Sequence, residues 1–374
     1  MKILLVGNYL PDRQESMQRF ANMLHVGLVK LGHQVRLIQP QPRLGKLKPS
    51  SNGLGKWLGY VDKFVFFPQQ LRQAAAEADV VHICDRSNAV YTKYLLNVPH
   101  LVTCHDLLAL QSALGEIEEH PTKWTGKQLQ RLILTGMKRS QRIVCVSEQT
   151  RKDLIRLTAV DPSIVSVIYN GLNYPYTPMA QAESQKRLLG ISSPFILHVG
   201  CNQWYKNRLN VLKIFNYLKQ YKSNLYLVMA GQPFTDKMRE FIQINNLQNQ
   251  VKELVSLENE DLRALYSTAT ALLFPSLKEG FGWPIAEAQA CGCPVFTSNR
   301  MPMTEVGLDA AVYIDPDCPA AAAKEIALHL PNISKLKQAG LNNVKRFTSE
   351  KMLDSYLEVY QEICRENSSS HLIS

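Results

Sequence analysis

No stretch of about 20 consecutive apolar residues, the length that crosses a bilayer as a helix, occurs in this 374-residue chain. The opening MKILLVGNYLPD carries a lysine and a short apolar stretch. It lacks the longer apolar core and small-residue cleavage site of a secretory leader, so it reads as a first buried strand of a cytoplasmic protein. The eight cysteines are Cys84, Cys104, Cys145, Cys201, Cys291, Cys293, Cys318 and Cys364; none forms a C-x-x-C, and the close pair Cys291 and Cys293 brackets a glycine. That spacing supports neither a disulfide framework nor a zinc site, and free thiols in a reducing compartment are expected. The G-x4-G-K-[ST] phosphate loop is missing, and no repeat of solenoid period is visible. The sequence reads as lacking a D-x-D-type carboxylate pair, which is consistent with chemistry that needs no bound metal, and no cofactor is expected.

What is present is an ordinary globular composition, 45% hydrophobic and 20% charged. The formal charge of +10 is uneven: residues 1–180 carry +9 and residues 181–374 carry +1. A basic half implies an anionic partner (nucleic acid, a membrane surface or an acidic substrate) or solubility with no specific partner. The basic residues are scattered and no nucleic-acid recognition motif accompanies them, which sets nucleic acid aside.

The organisation is β-then-α, twice over. KILLVGN is a continuous apolar run of the kind found in parallel strands buried on both faces. A helix follows with Phe20, Leu24, Leu28 and Leu31 at helical spacing, stopping at Gly32. HQVRLIQP, ADVVHIC, HLVTCHD and QRIVCVS are further strands, and PFILHVG, NLYLVMAG, VKELV, ATALLFPS and CPVFTS repeat the alternation in the second half. Alternating strands and helices predict an α/β protein of two doubly wound, Rossmann-like domains, with ligands at the carboxyl ends of the strands in a cleft. The expected boundaries are 1–170, a linker at 171–190 within NGLNYPYTPMAQAES, 191–350, and a C-terminal helix with a fraying polar tail at 351–374, the helix packing back on the first domain.

The most informative segment is FPSLKEGFGWPIAEAQACGCPVFTS, which reads strand, glycine-bracketed loop, helix, strand. Gly280 and Gly282 permit close backbone approach to a ligand, and Pro284 suits the first helical position. The N–H groups around Trp283–Ala286 form an anion site suited to a diphosphate. Glu279 at the strand end and Glu287 in the first helical turn can hold the hydroxyls of a sugar and of a ribose. After PFILHVG, the loop CNQWYKNR brings Lys206 and Arg208, cations that could neutralise a departing diphosphate where no metal does so. In TCHDLLAL, His105 could hydrogen-bond a sugar hydroxyl or an acceptor, whereas Asp106 reads equally well as a helix cap.

E-G-F-G-W-P-I-A-E is an E-x7-E motif with its phenylalanine, glycines and proline in place, and it resembles the donor-site signature of the family-four retaining glycosyltransferases (glycosyltransferase group 1, GT-B fold). VCVSEQTRKDL, VIYNGLN, LRALYSTATALLFPS and MTEVGLDAAVYIDP extend the resemblance over most of the chain. The resemblance implies that Glu279 contacts the donor sugar and Glu287 the ribose, with Gly280, Phe281, Gly282, Trp283, Pro284 and Ile285 completing the donor loop. Lys206 with Asn207 matches a family Lys-Asn variant. The usual arginine position holds Cys201 or Tyr205, depending on the subfamily spacing, and Arg208 is the candidate substitute. Glu305 resembles a family residue near the donor. The chain departs from the family in its first loop, GNYLPDRQESMQRF, where Ser16 and Met17 replace the expected glycines.

Two further stretches complete the reading. Backbone around Ser256–Asn259 is the expected place for base recognition. The segment from Arg43 to Phe67 interleaves Arg43, Lys46, Lys48, Lys56 and Lys63 with Trp57, Leu58, Tyr60, Phe64 and Phe67, which fits either an anionic lipid surface or a loop packing its aromatics on its own domain.

The expectation is a retaining, metal-independent hexosyltransferase. It would move sugar from a nucleoside-diphosphate sugar to a saccharide or lipid-linked acceptor, in the cytoplasm and peripherally on the inner membrane face. Its rivals are a non-catalytic sugar-nucleotide-binding subunit and a nucleotide-sugar epimerase or hydrolase on the same fold.

Overall fold

The computed structural model describes residues 1–46, 54–188, 190–191 and 194–371. The chain divides into two compact units, Met1–Asn173 with Ser349–Ser374, and Tyr174–Thr348.

The first unit is built on six parallel strands: β1 (Lys2–Val6), β2 (Gln34–Ile38), β3 (Val80–Ile83), β4 (His100–Cys104), β5 (Arg142–Cys145) and β6 (Val165–Val167), in the order β2-β1-β3-β4-β5-β6. Helices cover both faces, which is why ILLV of β1 and VVHI of β3 are buried throughout instead of alternating. Leu4, Val6, Val81 and Ile83 point into one core with Phe67, Leu71, Tyr91, Ile133 and Met137. Successive side chains on a strand take opposite faces. His82 therefore points to the other side, where its ring nitrogens meet Tyr360 Oη and Thr103 Oγ1, each at 2.7 Å.

On that other side, the helix Glu15–Lys30 buries Phe20, Leu24 and Leu28 and is followed by Gly32 at φ +84°. It packs on the C-terminal helix Ser349–His371. A Cβ on Gly27 would lie 2.4 Å from Leu353 Cδ1, so a larger residue there would require the Leu353 side chain to move. The C-terminal helix continues through Ser368–Ser370, where the polar sequence predicts fraying.

The second unit repeats the plan with β7 (Phe195–Gly200), β8 (Tyr226–Gly231), β9 (Val251–Val255), β10 (Ala271–Phe274), β11 (Val295–Ser298) and β12 (Ala311–Ile314), in the order β12-β11-β10-β7-β8-β9, again all parallel. The α/β, doubly wound reading is therefore what the chain forms. The three-residue strand β6, VSV, carries too little apolar pattern to be recognised in the sequence, and β12, AVYI, is an apolar run not anticipated as a strand.

Strand order places the functional loops. In the first sheet the chain runs from β1 to β2 and then returns to β1's other side as β3. In the second it runs β7-β8-β9 and returns beside β7 as β10. Connections that diverge from two adjacent strands leave a crevice at the strands' carboxyl ends. Each unit has one such point, at β1/β3 and at β7/β10.

Candidate functional site

At the β7/β10 point, the chain leaves Gly200, forms a 3-10 turn at Trp204–Lys206, and reverses at Asn207 before the helix Arg208–Leu218. Asn207 holds the left-handed conformation at φ 56°, which asparagine tolerates better than most residues. Its side-chain amide donates to Pro275 O at 3.0 Å and Pro316 O at 3.1 Å. Leu277 N donates to Tyr205 O at 2.7 Å, stitching the turn to the loop after β10. This bracing aims Lys206 across the crevice: its Nζ donates to Glu279 Oε1 at 2.7 Å, with both side chains largely buried. Lys206 Nζ also lies 5.1 Å from the Phe274 ring centroid. Two residues 73 positions apart thus form one ion pair.

Arg208 is 4% exposed. Its Nη1 donates to Gln232 O at 2.7 Å and to Asn202 Oδ1, and its guanidinium lies 5.7 Å from the Phe234 ring centroid, while Nε and Nη2 have no hydrogen-bond partner among the described residues. No carboxylate pairs with it among those residues. Burial lowers its pKa. Unsatisfied buried N–H groups on a cation are rare and unfavourable, and an anion would satisfy them. Close by, His198 is fully buried and held neutral by burial, with its pKa pushed down to about 3. Its Nδ1–H donates to Leu273 O at 2.9 Å.

The loop after β10 carries Glu279 five residues beyond the strand's last residue, not at the strand end. Gly282, at φ +103°, turns the chain into the helix Trp283–Ala290, with Pro284 at its second position. That left-handed residue is why a glycine is required there. Ile285 is buried, and Phe281 packs edge-on against Phe347 with centroids 5.3 Å apart. Because the helix begins at Trp283, Glu287 falls in its second turn and not its first, on the inward side. It is 6% exposed and accepts a hydrogen bond from Tyr266 Oη at 2.9 Å. Burial, followed by the Glu287 charge, pushes the Tyr266 pKa well up, so the tyrosine keeps its proton and donates it. Glu305 is buried in the short helix Met303–Gly307. At the expected base-recognition backbone, Ser256 adopts φ 54°.

At the β1/β3 point of the first unit, a polar cluster forms that no sequence motif announced. Asn8 Nδ2 donates to Asp85 Oδ2 at 2.9 Å, and Asn88 Nδ2 donates to Asn8 Oδ1 at 2.9 Å and to Gly7 O at 3.2 Å. The available signal was positional: Asn8 and Asp85 each follow a strand end. His105, beyond β4, is 5% exposed; its ring packs edge-on against Phe20 with centroids 4.5 Å apart. Its Nε2 lies 3.0 Å from Cys84 O, and a carbonyl only accepts, so the proton is on Nε2. Burial lowers the His105 pKa, which leaves a neutral ring whose Nδ1 carries the lone pair. Asp106 accepts from Leu108 N at 3.1 Å and pairs with Arg86 Nη2 at 3.1 Å, so it shapes the turn and holds an arginine. Ser16 and Met17 lie inside the first helix, not in a loop.

The basic, aromatic segment divides. Phe67 is buried against Tyr91 at 5.0 Å, whereas Trp57 and Phe64 are exposed. Lys48 and the Lys56 side chain lie outside the described residues. One Asp-x-Asp, overlooked in the sequence, follows β12: Asp315 Oδ1 accepts from Asp317 N at 3.0 Å, and Asp317 pairs with Arg300. Among the described residues no group of three potential ligands could hold a metal ion.

Comparison with known proteins is consistent with this geometry. The family model described as "Glycosyl transferases group 1" matches residues 180–346, and that described as "Glycosyltransferase Family 4" matches residues 17–174. The O-antigen chain mannosyltransferase B of Escherichia coli is 24% identical over 363 residues, 93% of this chain and 94% of that protein. A sucrose-phosphate synthase from Thermosynechococcus elongatus superimposes with a TM-score of 0.75 at 19% identity, covering 97% of this chain and 99% of that one. HepE from Anabaena, solved in complex with UDP and glucose, gives 0.74 at 16% identity, over 96% and 99%. These structural likenesses establish the two-domain GT-B fold.

Proposed function

The chain belongs to the group 1/family 4 glycosyltransferases, and from that premise we propose that it is a retaining hexosyltransferase. It moves a hexose-type sugar from a nucleoside-diphosphate sugar to a saccharide or lipid-linked acceptor in polysaccharide or glycoconjugate synthesis, on the cytoplasmic side of a membrane. The observation that carries the donor reading is the convergence at the β7/β10 crevice. A lysine and a carboxylate meet at 2.7 Å beside an arginine with two nitrogens that lack hydrogen-bond partners among the described residues.

In this reading Lys206, Arg208 and the N–H groups at the start of the Trp283–Ala290 helix hold the diphosphate. Together they offset the charge that develops as it leaves, without a metal ion. Gly280, Phe281, Gly282, Pro284 and Ile285 shape the loop that carries these donors. Glu287, oriented by Tyr266, accepts from the ribose hydroxyls. Glu279 and Glu305 belong to the sugar end of the donor, with Glu279 orienting a hydroxyl. His105, neutral and protonated on Nε2, offers Nδ1 as an acceptor to a hydroxyl of sugar or acceptor. The incoming oxygen attacks from the face that the diphosphate leaves, a route that uses no protein nucleophile. The name of the E. coli relative supports a hexosyl group, and the UDP complexes of HepE support a nucleotide-sugar donor.

A donor screen tests the proposal. Purified protein is melted with UDP-, GDP- and ADP-sugars, and nucleotide release is followed with and without saccharide and lipid extracts. Stabilisation by one donor and release that requires acceptor are expected. Release without acceptor would indicate a hydrolase or epimerase, and stabilisation without release under any acceptor would indicate a binding subunit.

A further inference from the structure

One patch of the first unit is free of exposed acidic residues and carries aromatic residues that no core absorbs. The core containing Phe67, Leu71, Tyr91, Ile133 and Met137 lies under three segments, residues 54–75, 86–97 and 123–139, and beyond them under Leu107, Leu110 and Leu154, whose neighbouring segments carry Glu116, Glu118, Glu119, Glu148 and Asp153. The middle segment joins the outer two: Tyr91 Oη donates to Lys63 O at 3.1 Å, and Thr92 Oγ1 donates to Gly136 O at 2.9 Å. A Cβ on Gly136 would sit 2.0 Å from Ala89 O, so the third segment lies directly on the second.

Over these three segments the sequence has one acidic residue, Asp62. It is 1% exposed and accepts from Tyr9 Oη, Leu44 N and Gly45 N. The outward surface therefore has no negative charge of its own. It does have Arg72, Lys93, Lys123, Lys127, Arg131 and Lys138, all exposed.

The helix Trp124–Lys138 shows how the surface is built. Ile133, Gly136 and Met137 face inward. On the outer side Trp124 is 72% exposed and Leu132 is 58% exposed, in a row at i and i+8, beside Lys127 and Arg131. None of Lys123, Lys127 and Arg131 is in an ion pair among the described residues. Across the middle segment, Trp57 and Val65 stand out at 61% and 62% exposure, and Leu96 at 63%. A face combining large apolar side chains with long basic ones, and lacking acids, matches the interfacial layer of a membrane. There rings and aliphatic tips enter the acyl boundary, and lysine and arginine reach to anionic headgroups.

The opposite side of the same sheet has the reverse character. The C-terminal helix packed there carries Glu350, Asp354, Glu358, Glu362 and Glu366 against Lys351 and Arg365. An anionic surface would attract this patch and repel the C-terminal helix, which favours one orientation as well as attachment.

We propose that the face formed by residues 54–75, 86–97 and 123–139 docks on a bilayer containing anionic lipid, with Trp124, Leu132 and Trp57 inserted into the interface. This deepens the acceptor reading above by naming the surface that meets the membrane.

The test is flotation of the full chain with vesicles of phosphatidylcholine alone or mixed with phosphatidylglycerol, at low and high salt. Flotation only with the anionic vesicles is expected, reversed by salt because exposed charges are screened. Lys127→Glu with Arg131→Glu should weaken it on the order of twentyfold or more, at about fivefold per lost basic residue. Both residues are exposed, so melting of the variant should match the parent. Asp354→Lys on the opposite side should leave the dependence on Lys127 and Arg131 intact. The fluorescence blue shift on vesicle binding should shrink in Trp124→Phe. Equal flotation of the charge-reversed variant, or binding to an oligonucleotide without binding to vesicles, would overturn the proposal. No flotation of the parent chain with either vesicle, together with transfer to a soluble acceptor, would refute the surface alone, whereas flotation of the parent chain without transfer to any acceptor would refute the transferase reading alone.

Discussion

Glu279→Ala should abolish most transfer while tightening the binding of a bare nucleoside diphosphate. Lys206 Nζ and Glu279 Oε1 are 2.7 Å apart, with side chains 15% and 9% exposed. At an effective dielectric of about 20 their attraction is roughly 6 kcal/mol, much of it offset by desolvation of the two ions. Truncating one partner leaves the other charge unpaired and should cost about 3 kcal/mol, the low end for buried pairs because both side chains keep some water. In a unit of this size that is a melting shift of roughly 6–12 °C. Loss of a group that orients the sugar in the transition state should lower kcat/KM by about 10²–10³. The diphosphate, however, no longer competes with a carboxylate for the lysine. A gain of about 1 kcal/mol, near fivefold in Kd, follows for UDP or GDP without a sugar. Titration calorimetry with the nucleotides, donor turnover and thermal melting read the three effects separately. Near-normal turnover would refute the assignment. So would weaker nucleotide binding in a folded variant, since Lys206 would then depend on Glu279 and not compete with it.

Arg208→Met should leave the melting temperature of the unliganded protein unchanged or slightly raised, because the guanidinium is buried without a carboxylate partner. Nucleoside diphosphate binding should fall by roughly tenfold or more; a large melting loss with binding retained would make Arg208 structural. Tyr266→Phe removes the hydrogen bond to buried Glu287 and should cost about 1–3 kcal/mol in denaturant unfolding, with a raised KM for the donor. Unchanged stability would show that the 2.9 Å contact contributes little. His82 and His198 have pKa values pushed down to about 3 by burial, so the folded protein binds fewer protons than the unfolded chain below pH 6.5. Stability should be full above that pH and fall by up to about 2 kcal/mol per histidine between pH 6.5 and 5. His198→Asn should flatten that fall in the second unit, and an unchanged slope would contradict a buried neutral ring.

Much of the fold was legible because parallel strands covered on both faces leave unbroken apolar runs. KILLV, PFILHVG and ATALLFPS are recognisable for that reason. The three residues of β6 are too short to show any period, and AVYI of β12, though an apolar run like ALLF of β10, is fixed as an edge strand only by pairing with β11, as β6 is by pairing with β5. Serines at 368–370 disfavour a helix locally, yet the helix continues through them to His371. Glu287 was visible as a carboxylate at the right spacing. Its turn of the helix depended on the left-handed Gly282 that sets where the helix starts.

From sequence alone came the two doubly wound halves, the donor loop with its glycines and proline, and the uneven charge, because each is a local pattern of residue type and spacing. The tertiary structure decided which distant residues meet. Lys206 reaches Glu279 only because β10 returns beside β7, a choice of strand order that no local pattern encodes. It also decided which side chains remain without partners. Two nitrogens of Arg208 are left unpaired, and the Trp124 and Leu132 side chains face outward, because burial and hydrogen bonding are properties of the packed chain.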